Sequence, residues 1–278
     1  MTAPDFYTIG AHHRLSKADL DDPDPRGLIC CWEAPNPRFT YCMGIDPTVG
    51  IVGWNRQLRT KDDFRTDNGA IEIIKVGTPD VQVCEYAAPI DPEDLADIAN
   101  ALGRLYAGNS DQEQCLCIIE VYPGPGLLTQ RKMINQYGYT NHFVWKYLDS
   151  LAARPTMSLG WQSSPKSVRD LWIRGTRHIS RGDLLIRSPY LAEELSDCEA
   201  DQLKMTAKAS YGRHDDRVRA MLQATWAAHD WSFQIEPDIS VPIHEGDHAP
   251  NWQASDCSYD KMLEGWEDRW EQLSEGNF

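Results

Sequence analysis

No apolar run in this 278-residue chain approaches the ~20 residues that a membrane-spanning helix needs. The opening stretch, MTAPDFYTIGAHHRL, has no basic segment followed by an apolar core, so no signal peptide is expected. None of the eight cysteines forms a C-x-x-C pair and no histidines cluster at finger spacing, so no structural zinc site is expected from spacing. Cys30, Cys31, Cys42, Cys84, Cys115, Cys117, Cys198 and Cys257 read instead as buried free thiols. A G-x-x-x-x-G-K-[ST] phosphate loop is also missing. The nearest piece, Gly124-Pro125-Gly126, has no following Gly-Lys-Ser/Thr, so no ATP site is expected.

What is present is the balance of a globular chain, with 41% apolar and 25% charged residues. The length suits one large domain, or one domain and an appendage. The net charge of −15 is unevenly spread. Residues 236–278 carry a net −9, whereas 125–187 carry a net +7. The basic stretch is either a docking face for a polyanion such as a DNA duplex or an ordinary solvated surface.

Residues 1–38 hold five prolines and the acidic run DLDDPDP, and read as an irregular lead-in or linker. FTYCMGID (39–46) reads as a strand ending in an acid. AIEIIKVG (70–77) and VQVCEYAA (81–88) are β-branched runs around a turn. In residues 91–108, Asp91 caps a helix, Pro92 opens it and Leu95, Ile98, Leu102 and Leu105 make its apolar stripe. CLCIIEVY (115–122) is the most apolar strand, expected at the centre of a sheet covered on both faces. Helices are predicted over 124–138, 165–179, 188–203 and within 213–231, and strands over 142–148 and 183–188. Strands come first as a meander and then alternate with helices, which predicts an α/β fold with a mixed β-sheet flanked by helices.

Three acids or acid pairs occupy special places. Asp46 ends the first of those strands, Glu120 ends the central apolar one, and Asp215-Asp216 open the late helix. A carboxylate next to an apolar strand is costly to bury without compensation. A divalent cation supplies it, and hard oxygen ligands select Mg2+ or Mn2+. If the strands are neighbours, two ions about 3.5–4 Å apart fit a phosphodiester-cleaving centre. For each acid alone, a helix cap or exposed loop end is the plainer alternative.

Gly44-Ile45-Asp46-Pro47 after a strand, Ile118-Ile119-Glu120 after a central strand and His214-Asp215-Asp216 opening a helix resemble the nuclease domain of phage large terminases. The resemblance runs from about Tyr41 to Trp231. It takes in Asp67-Asn68-Gly69-Ala70-Ile71 and residues 163–194, where a lysine-bearing helix, a short strand and a helix with Glu193-Glu194-Leu195 follow in order. It implies an RNase H-like fold over 39–235 and cleavage of concatemeric double-stranded DNA with Mg2+ or Mn2+. By motif, Asp46, Glu120, Asp215 and Asp216 would be catalytic metal ligands, with Asp67 and His214 as secondary participants. Lys166, Arg169, Arg174 and Arg177 would hold the DNA backbone through salt-sensitive contacts that do not read sequence. The chain departs from the family in lacking the ATPase motor and in the length of the loop between Asp46 and Asp67. The implied partners are a separate motor, a portal and a small terminase, with no membrane, in the cytoplasm of an infected bacterial host. The same acids would also serve a Holliday-junction resolvase or a transposase-type enzyme. A non-catalytic portal- or capsid-binding protein is the alternative outside catalysis.

Residues 236–278 form an acidic tail. Leu263, Trp266, Trp270 and Leu273 recur at helical spacing, which predicts a helix that packs back on the domain or docks a partner.

Overall fold

The computed structural model describes residues 3–9, 15–18, 27–48, 68–122, 124–149, 154–201, 206–210 and 213–230. The chain divides into two compact units, residues 1–234 and 235–278. The second, with the predicted tail helix, lies outside the described residues.

The first unit is built on one mixed sheet. Its centre is β4 (Tyr41–Asp46), buried at every position, flanked by antiparallel β5 (Gly69–Lys75) and parallel β7 (Leu116–Tyr122). Beyond β5 lies antiparallel β6 (Asp80–Ala88), and beyond β7 the short parallel β10 (Trp161–Gln162). The order β10-β7-β4-β5-β6, with its first meander antiparallel and later strands added in parallel on the other side, is the mixed sheet flanked by helices that the sequence predicts. The expectation of a central strand at 115–122 holds: Cys117, Ile118 and Ile119 have no exposed surface. The buried-thiol reading holds for Cys30, Cys31, Cys42, Cys84, Cys115 and Cys117, while Cys198 is half-buried; Cys257 lies outside the described residues.

The sheet extends further than predicted. Within the expected lead-in, β1 (Asp5–Ile9), β2 (Leu15–Lys17) and β3 (Ile29–Cys31) continue it past β6. The physical reason is the open edge of β6, whose Cys84–Tyr86 pair with Ile29–Cys31 and bury all three. Prolines between short strands hid them from a reading based on punctuation.

Helices cover both faces. α1 (Pro92–Leu105) begins where expected: Asp91 Oδ1 accepts from Glu93 N at 2.8 Å and Pro92 needs no N–H partner. It lies against α2 (Gly126–Tyr137). On the other face sit α3 (Pro165–Ser180), α4 (Pro189–Ser196) and α5 (Asp216–His229). Cys42, Ile74 and Ile118 of the sheet share a core there with Leu171, Trp172, Met221, Leu222 and Trp226. Gly44 lets α5 approach: a Cβ on it would stand 2.0 Å from the Ala220 carbonyl oxygen.

Three other readings are corrected. The helix predicted over 188–203 stops at Ser196, and β12 (Cys198–Asp201) folds onto β13 (Thr206–Ala209) as a separate hairpin. The strand predicted at 142–148 is β8 (Val144–Asp149), which leaves the main sheet to pair with β9 (Arg154–Leu159). The strand at 183–188 shrinks to β11 (Leu184–Leu185), parallel to β6. Among the described residues, no helix is long and apolar enough to cross a membrane.

Candidate active site

Strand alternation sends Cys42, Gly44 and Asp46 to one face of the sheet, and the tight contact at Gly44 shows that this is the face under α5. In the parallel pairing of β4 with β7, Gly44 stands beside Ile118 and Ile45 beside Ile119. One step on, Asp46 at the end of β4 and Glu120, two residues before the end of β7 rather than at its end as expected, are neighbours on the same face. Sequence could name both acids but could not show that they were adjacent.

The late helix delivers its acids to the same edge. Asp216 Oδ2 accepts from the backbone N of Asn68 at 2.9 Å. Asn68 leads into β5, whose Ala70 pairs with Asp46. His214 Nδ1 lies 3.4 Å from the same Asp216 oxygen. Asp215 is the residue before α5, but its side chain does not cap it. Its Oδ2 instead meets the Ala209 N at 3.3 Å, while its carbonyl oxygen starts the helix by accepting from Arg219 N. Both members of the pair remain candidate ligands, Asp216 the more buried of the two.

A cation sits among these acids. Arg219 Nε lies 3.2 Å from Asp46 Oδ2, an ion pair short of hydrogen-bond geometry, and its terminal nitrogen bonds Glu120 Oε2. Gln223 Nε2 donates to that same Glu120 oxygen at 3.1 Å. Burial pushes the Asp46 carboxyl well above the usual carboxylate range; Arg219 opposes this, and the charges of Glu120, Asp216 and Asp215 add to it. Asp46 in turn, ahead of Glu120 and Asp215, raises the Arg219 guanidinium above its ordinary value against the cost of burial. Asp46 therefore stands within electrostatic reach of the other three acids.

Arg219 and Gln223 were not singled out in the sequence. The signal was there: Asp216, Arg219 and Gln223 recur at helical spacing in a helix otherwise buried from Val218 to Ala227. Reading its Val218–Trp226 side as the core left the polar stripe to solvent, where it does not belong.

The donor set suits Mg2+ or Mn2+. It is entirely hard oxygen, and Gln223 Oε1 adds a buried carbonyl oxygen with no hydrogen-bond partner. A hard divalent ion would relieve the clustered charge that Arg219 now offsets.

The predicted DNA-contacting residues all lie on α3, which starts three residues past Gln162 of the strand paired to β7. Ser164 caps it in a reciprocal pair with Ser167. Lys166 and Arg177 are exposed. Arg169 is partly exposed beside Asp170, 3.6 Å away. Arg174 is turned onto the Trp226 ring, 5.9 Å from its centroid, and packs against α5. Asp67 lies outside the described residues.

No family model matches the chain, and no curated protein matches it. Among solved structures, its neighbours include two terminase nuclease domains. The large terminase nuclease from thermophilic phage G20c shares 14% identity over 70% of this chain and 86% of its own, with a TM-score of 0.46. The human cytomegalovirus terminase nuclease domain, soaked with Mn, shares 11% identity over 68% and 83%, with a TM-score of 0.44.

Proposed function

We propose that this chain is a divalent-metal-dependent endonuclease that cuts double-stranded, concatemeric DNA in phage genome packaging, as the nuclease part of a large terminase. The observation that carries the reading is the meeting of Asp46, Glu120 and Asp215-Asp216 at one sheet edge beneath α5, with Arg219 between Asp46 and Glu120. Carboxylates gathered this closely need cations, and their order along the chain is that of the motifs that resemble the terminase nucleases.

Asp46, Glu120, Asp215 and Asp216 would hold two Mg2+ or Mn2+ ions. Such ions make a bound water nucleophilic at neutral pH and steady the leaving oxygen of an in-line displacement. The residues around them divide the remaining work. The Asn68 N–H and His214 orient Asp216, and Gln223 orients Glu120. Arg219 offsets the charge of Asp46 and Glu120 and is a cation placed to meet a phosphate. Lys166, Arg169 and Arg177 extend the positive surface along α3 for the duplex backbone. The partners would be an ATPase motor, a portal and a small terminase, in the cytoplasm of an infected bacterial host.

Supercoiled plasmid incubated with Mn2+ tests the reading. Nicking and linearisation are expected from the wild type, with loss of at least about 100-fold in Asp46→Ala. Activity that persists unchanged in that variant would remove the mechanism. Preference for a four-way junction or an RNA–DNA hybrid over the plasmid would keep the chemistry and replace the substrate.

A further inference from the structure

A second convergence of ligand-bearing side chains lies at the other end of α5. Asp80 opens β6 and its side chain has no exposed surface. Its Oδ2 lies 3.0 Å from Nε2 of His178 and 2.7 Å from Nε2 of His229. Its other oxygen accepts the Gly77 N–H at 2.9 Å, which fixes the carboxylate plane. His178 comes from the last turn of α3 and His229 is the last residue of α5. The two rings stand 4.9 Å apart at 57°. The three ligand atoms lie within 4.8 Å of one another.

We propose that Asp80, His178 and His229 form a binding site for a zinc-class divalent cation that fastens the far ends of α3 and α5 to β6. Two imidazole nitrogens and one carboxylate oxygen suit Zn2+, in contrast to the all-oxygen set at the other end of α5, which suits Mg2+ or Mn2+. Bonds of 2.0–2.1 Å in a tetrahedral site separate ligand atoms by about 3.4 Å, so the two O···N spacings of 3.0 and 2.7 Å need to open by less than about 1 Å. Water would complete the fourth position. Independent of the side chains, α3 and α5 both direct their C-terminal ends here, and the negative end of each helix dipole favours a cation. Asp216 and His229 are thirteen residues apart on α5, roughly 20 Å at 1.5 Å per residue, so the site is separate from the acid cluster. Ninety-eight residues divide Asp80 from His178 and fifty-one divide His178 from His229, so no local spacing betrays it.

The inference goes beyond the nuclease reading and stands without it. After chelation at pH 8, the full-length chain is titrated with Zn2+, and the zinc-loaded form is examined by X-ray absorption. One tight Zn2+ per chain is expected, with two imidazoles in its shell and a rise in Tm. Asp46→Asn should keep that ion. A His178→Gln/His229→Gln double variant, whose amides can still donate to Asp80, should weaken binding more than roughly 100-fold, beyond the usual cost of losing a ligand's hydrogen-bond partner. Failure of the wild type to bind Zn2+ tighter than about 10 μM, a shell without imidazole, or unchanged affinity in the folded double variant would overturn the proposal and leave a plain hydrogen-bonded Asp–His cluster. Because absorption is measured on the wild type, a double variant that does not fold leaves a decisive reading in hand. Loss of plasmid nicking has no bearing on any of these results.

Discussion

Arg219 Nε faces Asp46 Oδ2 across 3.2 Å, and the same guanidinium reaches Glu120 on the neighbouring strand. A helix thus places a fixed cation over two carboxylates of neighbouring strands that share a sheet face. Burying those carboxylates without it would cost several kcal/mol each.

Removing that cation should have a metal-dependent cost. Arg219→Gln is expected to lose about 3 kcal/mol in EDTA, the lower end for breaking a buried ion pair, since the Arg219 side chain is 28% exposed. In Mn2+ the loss should shrink, because the ions compensate the same charge. Thermal unfolding of both proteins in both buffers checks this. An equal loss in the two buffers would contradict it.

Gly44→Ala should act at the contact that seats α5. The added methyl would lie 2.0 Å from the Ala220 oxygen and 2.6 Å from the Ala224 nitrogen, both backbone atoms with little room to move. At least about 2 kcal/mol of stability should go, as overpacking typically costs. Nicking should fall with it even where the protein remains folded, because α5 carries Asp216, Arg219 and Gln223. Chemical denaturation and the plasmid assay measure the two losses.

Glu72 supplies a pH dependence. It is wholly buried opposite Glu85; Oε2 accepts from Gln82 at 2.8 Å and Oε1 has no hydrogen-bond partner. Burial, reinforced by Glu85 and Glu194 against the help of Gln82 and Arg217, pushes its carboxyl well above the usual 4.5. The folded chain then binds a proton that the unfolded chain has lost. Stability from this group is therefore present below about pH 4.5 and is lost as pH rises through the folded value. Glu72→Gln keeps an acceptor for Gln82 and should raise Tm by a few degrees near pH 8, with little change near pH 4. A pH series of melting curves on both proteins decides it.

The α3 cations should hold duplex without reading it. Lys166→Ala is expected to weaken DNA binding about equally for unrelated sequences and to reduce the slope of log K against log salt by about 1. Arg174→Ala should instead cost stability, since its guanidinium packs on Trp226. Fluorescence anisotropy at several salt concentrations separates the two effects.

What could be read from the sequence was whatever a local pattern encodes. The apolar run before Glu120, the Asp91-Pro92 start of α1 and the Gly-Ile-Asp end of β4 each appear as expected. Pairing is not local, so the adjacency of Asp46 and Glu120 had to wait for the register of β4 and β7. Arg219 escaped for a related reason. A helix packed on several sides at once loses the one-sided apolar pattern that separates core from surface, and its inward polar residues then look solvated. Strands of three residues such as Ile29–Cys31 carry too little periodicity to be seen until the edge of β6 gives them a partner.

The most direct test of the proposed metal centre is a crystal soaked in Mn2+ and measured at the manganese absorption edge. Anomalous peaks are expected among Asp46, Glu120 and the Asp215-Asp216 pair, with the Arg219 side chain turned away from Asp46 and Glu120. A map with no peak at that edge of the sheet, and Arg219 still joined to both acids at saturating Mn2+, would contradict the assignment.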